Sequence, residues 1–247
     1  MRRATRLARH RPARFPQGLA FWLWHLALPL ALGALLWLVY PQTGLDDWVV
    51  RRYFDPSTRS FPLQHSLLFG EVLHTAARLL VVAVGLGALG LWFWSFLHTG
   101  WRAQRRRSFW IFLAMLLASG TVSMLKARSI HHCPWDLAEY GGYAPHLALF
   151  ADVPARFAAG HCFPAGHASG GFAMMAFYFG LRDLDRRKAA WALALGLSGG
   201  WAMGWTQTMR GAHFPSHTLW SAWVVWMVLL ALYVLFPPAK TPPADER

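Results

Sequence analysis

Apolar stretches close to 20 residues long recur through this chain, and that repetition constrains its fold more than any other feature. A helix needs about 20 apolar residues to cross a hydrocarbon core about 30 Å thick. Such runs are read near residues 19–40, 68–97, 109–125, 167–181, 189–208 and 217–236. Charged residues make up 14% of the composition, well under the roughly 25% of a soluble domain. The expectation is an all-α polytopic membrane protein, a six-transmembrane-helix bundle over 19–236. A basic N-terminus (1–18) and a Pro-rich tail (237–247) flank it, and no separate soluble domain is read.

The formal charge of +13 would point to nucleic acid in a soluble protein. Its placement gives another reason. The N-terminus, 98–108, 182–188 and the tail hold 16 of the 24 Lys and Arg, among them Arg2, Arg3, Arg102 and Arg105. The alternate segments, roughly 41–75, 126–166 and 210–216, hold seven basic and seven acidic residues. Lys and Arg in short loops stay on the cytoplasmic side. Both termini are therefore expected inside, with the second set facing out and no nucleic-acid partner. Arginines before the run 19–40 resemble a signal peptide, but the run is too long for a typical one. It reads as an uncleaved first helix.

The one long connection, 126–166, carries Pro134, Gly141, Gly142 and Pro145 together with Trp135, Tyr140 and Tyr143. Regular structure should be short there, and the aromatic side chains point to packing over the helix ends. Cys133 and Cys162 both lie in this outer loop. An oxidising exterior favours their pairing; two unpaired thiols are the alternative. Gly199, Gly200 and Gly204 read as close-packing positions between helices.

Lys126, Cys162-Phe163-Pro164-Ala165-Gly166-His167 and Met209-Arg210-Gly211-Ala212-His213-Phe214-Pro215-Ser216-His217 all fall at the outward ends of apolar stretches. Pro215 fits the first turn of a helix, so His213 sits at a helix N-terminus, where free N–H groups attract anions. His167 opens another helix, after Gly166, which permits close approach of an oxyanion. Lys126 and Arg210 add positive charge at the same level. A phosphate held there would face two imidazoles, one placed to attack phosphorus and one to protonate the leaving oxygen. Glu71, His74 and Arg78 stand at helical spacing in the second apolar run. Charges in such a run are often functional, or they pair with one another. His10, His25, His65, His98 and His146 read as snorkelling or capping residues.

These segments resemble the type 2 phosphatidic acid phosphatase family, whose motifs are K-x6-R-P, P-S-G-H and S-R-x5-H-x3-D. Here they read Lys126 with Cys133-Pro134, then Pro164-Ala165-Gly166-His167, then Thr206-Gln207 with His213 and His217. The resemblance covers about 125–220. It implies a lipid phosphatase in a bacterial inner membrane with its site at the periplasmic face. His213 would be the nucleophile forming a phosphohistidine, His167 the general acid, and Lys126 a phosphate ligand. Lipid A, undecaprenyl pyrophosphate, phosphatidic acid and phosphatidylglycerol phosphate are the implied candidate substrates, and no residue selects among them.

The chain departs from the family pattern at Cys133 and Gln207, where the motifs have Arg, at Ala165, where they have Ser, and at His217, where they have the Asp that orients the nucleophile. Arg210 and Arg128 are the candidates to restore the lost charge. Asp136, Glu139 and Glu71 are those to restore the carboxylate. No cofactor and no metal are expected, because Lys126 and Arg210 bring the charge that a metal would bring. Three other readings stay open: a phosphotransferase of the same fold, a catalytically inactive lipid-phosphate-binding protein, and a zinc-binding hydrolase using His213 and His217 with the His131-His132-Cys133 and His161-Cys162 segments. Oligomeric state is not legible.

Overall fold

The computed structural model describes residues 17–147 and 157–239. The basic N-terminal arm, residues 148–156 and most of the tail lie outside the described residues. The described chain is mostly helical, without strands. Its helices are α1 (Leu19–Gln42), α2 (Leu45–Val50), α3 (Leu67–Leu97), α4 (Arg105–Ala127), α5 (Gly166–Ala173), α6 (Ala176–Leu181), α7 (Arg186–Met209) and α8 (Pro215–Leu235).

Among the described residues, four helices are long and apolar enough to cross a membrane: α1, α3, Thr99–Ala127 (α4 with its 3-10 lead-in) and α8. The other two expected spans differ from the reading of the sequence. The run 167–181 is not one helix; it breaks at Met174–Met175 into α5 and α6. Helix α7 has 24 residues, but Gly, Ser and Ala take the place of larger apolar side chains along it.

That composition has a packing role. A Cβ at Gly200 would fall 2.2 Å from the Phe172 ring, one at Gly171 would fall 2.5 Å from the Gly200 nitrogen, and one at Gly204 would fall 2.4 Å from Thr218. Gly196 meets Met175 in the same way, at 2.8 Å. The stripe Gly196–Gly200–Gly204, with a four-residue period, therefore lets α7 lie backbone to backbone on α5 and against α8. The break between α5 and α6 falls where Met175 crosses Gly196. Gly199, expected to share this role, has nothing within 4 Å; it lies off the stripe.

Helix α1 docks on α8 through indoles. Pro29 has no N–H to give the His25 carbonyl, and Trp226 Nε1 donates to that carbonyl at 2.9 Å. Trp223 Nε1 donates to the Pro29 carbonyl at 2.8 Å, and Gly33 leaves room for its ring. His25 does not snorkel or cap. It is buried, stacked on Phe21 and Tyr178, with Nε2 bonded to Tyr178 and Arg182.

Arg182, Arg105 and Arg107 gather at one end of the bundle. There Arg107 pairs with Asp183 at 2.7 Å and Arg105 donates to the Ser95 carbonyl. Lys126, His167, Arg210 and His213 occupy the other end, capped by a small second core of Val50, Phe61, Leu137, Tyr140, Ala144 and Phe214. Two short 3-10 turns, Pro134–Asp136 and Ala138–Tyr140, are the regular structure of the described outer loop. Cys133 and Cys162 form a disulfide with Cα atoms 5.2 Å apart. Beside it, the 160–162 amides donate to the 129–131 carbonyls.

Helix α8 has no capping side chain of its own. Asp46 of α2 supplies one, accepting from the Ser216 amide at 2.9 Å and from its hydroxyl, and also from Tyr40. Asp46→Ala should therefore lower the unfolding free energy of detergent-purified protein by about 1–3 kcal/mol, as read by thermal melting. Reduction of Cys133–Cys162 should cost about 3–4 kcal/mol for a loop of this length. Two free thiols by mass analysis of unreduced protein would remove that expectation.

Candidate active site

The end of α7 is written in a few residues. The Gly211 amide donates to the Thr208 carbonyl and the Ala212 amide to the Gln207 carbonyl. Gly211 has φ +75°, the left-handed conformation that only glycine adopts without strain. The chain reverses there, and Pro215 opens α8 four residues later. His213 is thus held in a tight connection between two helices, 4% exposed. The α5 N-terminus is fixed to the same connection. The Ala165 amide donates to the His217 carbonyl, and Ser221 Oγ donates to the Ala165 carbonyl. Ala165, where the family motif has Ser, makes these bonds through its backbone.

A cavity of about 520 Å³ opens between α3, α4, α5 and α7. Lys126, Gly166, His167, Gln207, Arg210 and His213 all line it, so three separate sequence segments converge on one space. A Cβ at Gly166 would sit 3.3 Å from the Lys126 chain and 4.0 Å from Nζ; the missing side chain leaves the ammonium beside the start of α5. Arg210 is fixed by the Gln64 carbonyl, at 2.9 Å from its terminal nitrogen, and by Gln207 Oε1 at 3.0 Å. This bond turns the Gln207 amide. Its Nε2 is buried without a partner, on a residue that lines the cavity.

His213 Nδ1 lies 3.3 Å from His217 Nδ1. His217 is buried behind His213 and lines a second cavity of about 330 Å³, not the first. The position where the family motif has Asp therefore meets the His213 ring in space, as a second imidazole. Asp136 and Glu139 do not approach it. Asp136 accepts from Trp135 Nε1, and Glu139 engages His146 and Arg51. The Glu71 side chain lies outside the described residues. Arg128 is directed elsewhere: it lines a pocket with Phe163 and Trp220 on the other side of α4. Arg210 is the one of the two candidate replacement arginines that reaches the cavity lined by His167 and His213.

Burial, then the neighbouring charges of His217, Lys126 and His167, hold His213 well below the usual imidazole range. It is neutral near pH 7. Cys162 Sγ lies 3.5 Å from His213 Nδ1 and with His217 forms a trio of donor atoms within 4.8 Å of one another. Its sulfur is in the disulfide, so it offers no thiolate, and the zinc reading has lost its cysteine ligands.

Two residues that the motifs do not contain also line the cavity. His74 stacks on His167 with centroids 4.1 Å apart, and Arg78 follows one turn along α3. Ser119 and Ser123 line it too. Their spacing with Lys126, at i, i+4 and i+7 on α4, was the signal that these three share a face.

The PAP2 superfamily model matches residues 107–240. That is more than half of the chain, and the chain belongs to this superfamily. Its members are phosphatases, which places the protein among phosphoric ester hydrolases. No curated protein and no solved structure matches the chain.

A histidine neutral in the fold loses ground in acid. Below pH 6.5 the unfolded chain binds a proton at residue 213 that the folded chain refuses. Stability is thus full above 6.5 and falls by about 1.4 kcal/mol per pH unit below it, until the lower folded pKa is reached. The difference in unfolding free energy between wild type and His213→Ala should shrink as pH drops from 6.5 to 5. A constant difference would show that residue 213 titrates alike in both states.

Proposed function

We propose that the protein is a lipid phosphatase that hydrolyses a lipid phosphomonoester or diphosphate at the outer, periplasmic leaflet of a bacterial inner membrane. The observation that carries this reading is the convergence of Lys126, His167, Gln207, Arg210 and His213 on one cavity at one end of a bundle with membrane-length helices. The basic loops at the opposite end support the orientation by the positive-inside rule, and the lipid-facing helices support a lipid substrate.

The chemistry follows from the tautomers. With its proton on Nδ1, His213 donates to His217 Nδ1 and leaves the Nε2 lone pair to the cavity. That lone pair attacks phosphorus and the P–O bond to the lipid breaks. His167, held down to about 4 by burial and the neighbouring cations, enters with a proton taken up together with the anionic substrate and gives it to the departing oxygen. Water then attacks the phosphohistidine, His167 takes a proton from it, and the P–N bond breaks to release phosphate. Lys126, Arg210 and Gln207 Nε2 neutralise or bond the phosphoryl oxygens, whose charge grows in the transition state. His217 replaces a carboxylate with a neutral acceptor. It orients the ring but stabilises the imidazolium less.

His213→Ala and His167→Ala should each lower phosphate release at least 1,000-fold while the protein still inserts and folds; persistent activity in both would sink this reading. Release should be measured from phospholipid, lipid A and polyprenyl substrates, with EDTA and orthovanadate in parallel. Resistance to EDTA with inhibition by vanadate supports the phosphohistidine route. Loss with EDTA favours a metal shared by His213 and His217. A requirement for a lipid acceptor instead of water identifies a phosphotransferase, and no turnover with either identifies an inactive binding protein.

A further inference from the structure

The catalytic cavity has a wall that the motifs do not account for. It is made by α3, 31 residues from Leu67 to Leu97. Residues 79–97 contain no charged side chain and are nearly long enough to span the hydrocarbon by themselves. Arg78 stands at the outer end of that stretch, at the level of the last turn of α4 with Lys126. It could lie there only as an interfacial anchor, but three observations point inward. Arg78 lines the same cavity as His213. Among the described side chains no carboxylate lines that cavity and none pairs with Arg78. His74, one turn before it, is stacked on His167, so this face of α3 is already in contact with the reacting groups.

The opposite wall is short of one ligand. Gln207 stands where the family motif has Arg, and its buried Nε2 has no partner. A neutral amide donor facing cations that no described carboxylate compensates makes half of a site for a polyanion. The fixed cations in the cavity are Lys126, Arg78 and Arg210, and all three nitrogens of Arg210 are already bonded, two to the Gln64 carbonyl and one to Gln207 Oε1. We infer that Arg78 is a phosphate-binding residue of this protein. Its guanidinium contacts the phosphoryl oxygens from α3, across from the Gln207 amide, and takes over the charge that the motif positions Cys133 and Gln207 lack. Guanidinium is suited to this, since its planar fork bonds two phosphate oxygens at once. This inference rests on the phosphatase reading above.

The test uses the full chain in detergent, with two readouts: kcat/KM for the lipid phosphate found by the substrate panel, and the thermal shift produced by orthovanadate. Arg78→Ala should lower kcat/KM by about 100-fold or more, leave the melting midpoint without vanadate unchanged, and lose the vanadate shift. Gln207→Arg placed on top of Arg78→Ala, returning a guanidinium from the other wall, should recover at least tenfold of the loss. An Arg78→Ala protein within threefold of wild type, or one with a full vanadate shift, overturns the inference. Should Arg78→Ala itself melt lower, the comparison passes to Arg78→Lys and Arg78→Gln. Higher activity in the lysine variant supports the inference, and equal activity overturns it. A wild type that neither releases phosphate nor responds to vanadate removes the phosphatase reading. An active, vanadate-stabilised wild type with an equally active Arg78→Ala removes only the role of Arg78.

Discussion

The contact on which the site depends is the backbone approach of α5 to α7 at Gly171 and Gly200. Without side chains between them, two helices can lie closer than the 8–10 Å of ordinary packing. His167 lies at the start of one of these helices, and Gln207, Arg210 and His213 lie at or just beyond the end of the other, so the glycine contact fixes the distance between the two histidines. Inside a bilayer there is little hydrophobic gain in joining two apolar helices, and close van der Waals contact takes its place. The low apolarity of α7 follows from this: its small residues serve the partner helix.

The outward end of the bundle is held by a different set of forces. The disulfide ties the segment after α4 to the segment before α5, Asp46 caps α8 from α2, and Trp135 bonds the Gly211 carbonyl. Each of these ends beside His213 or His167. Loops at a membrane surface are otherwise the least stable part of such a fold. The covalent bridge and the borrowed cap keep the cavity-lining side chains in register, which serves the proposed phosphoryl transfer because its catalysis is mostly positioning and charge.

Three of the four departures from the family pattern, all but Ala165, have a common physical form. One lost arginine position is now half of a disulfide, the other is an amide that holds Arg210, and the orienting carboxylate is an imidazole. In each case the new side chain keeps a structural contact while giving up charge. The result is a cavity lined by His213 and no described carboxylate, with Arg210 entering from the turn after α7 and Arg78 from α3.

The sequence by itself determined the helical membrane character and singled out Lys126, His167 and His213, which the fold brings to one cavity, because bilayer thickness and motif spacing are local properties of a chain. Helix periodicity would also have placed Ser119 and Ser123 on the face of Lys126, a signal the motif reading passed over. Tertiary structure alone decided which extra charges join them. Arg210 and Arg128 were both candidates in sequence, Arg210 the stronger because it lies one turn from Gln207; the turn at Ala127–Ser129 sends Arg128 away while the glycine turn after α7 sends Arg210 in. His217 is four residues from His213, and only the helix start at Pro215 brings their Nδ1 atoms together. The break inside 167–181 was not legible, because it arises from contact with glycines on another helix. His74 and Arg78 are separated from the motifs by a whole hairpin, and only the packing of α3 on α4 and α5 makes them part of the site.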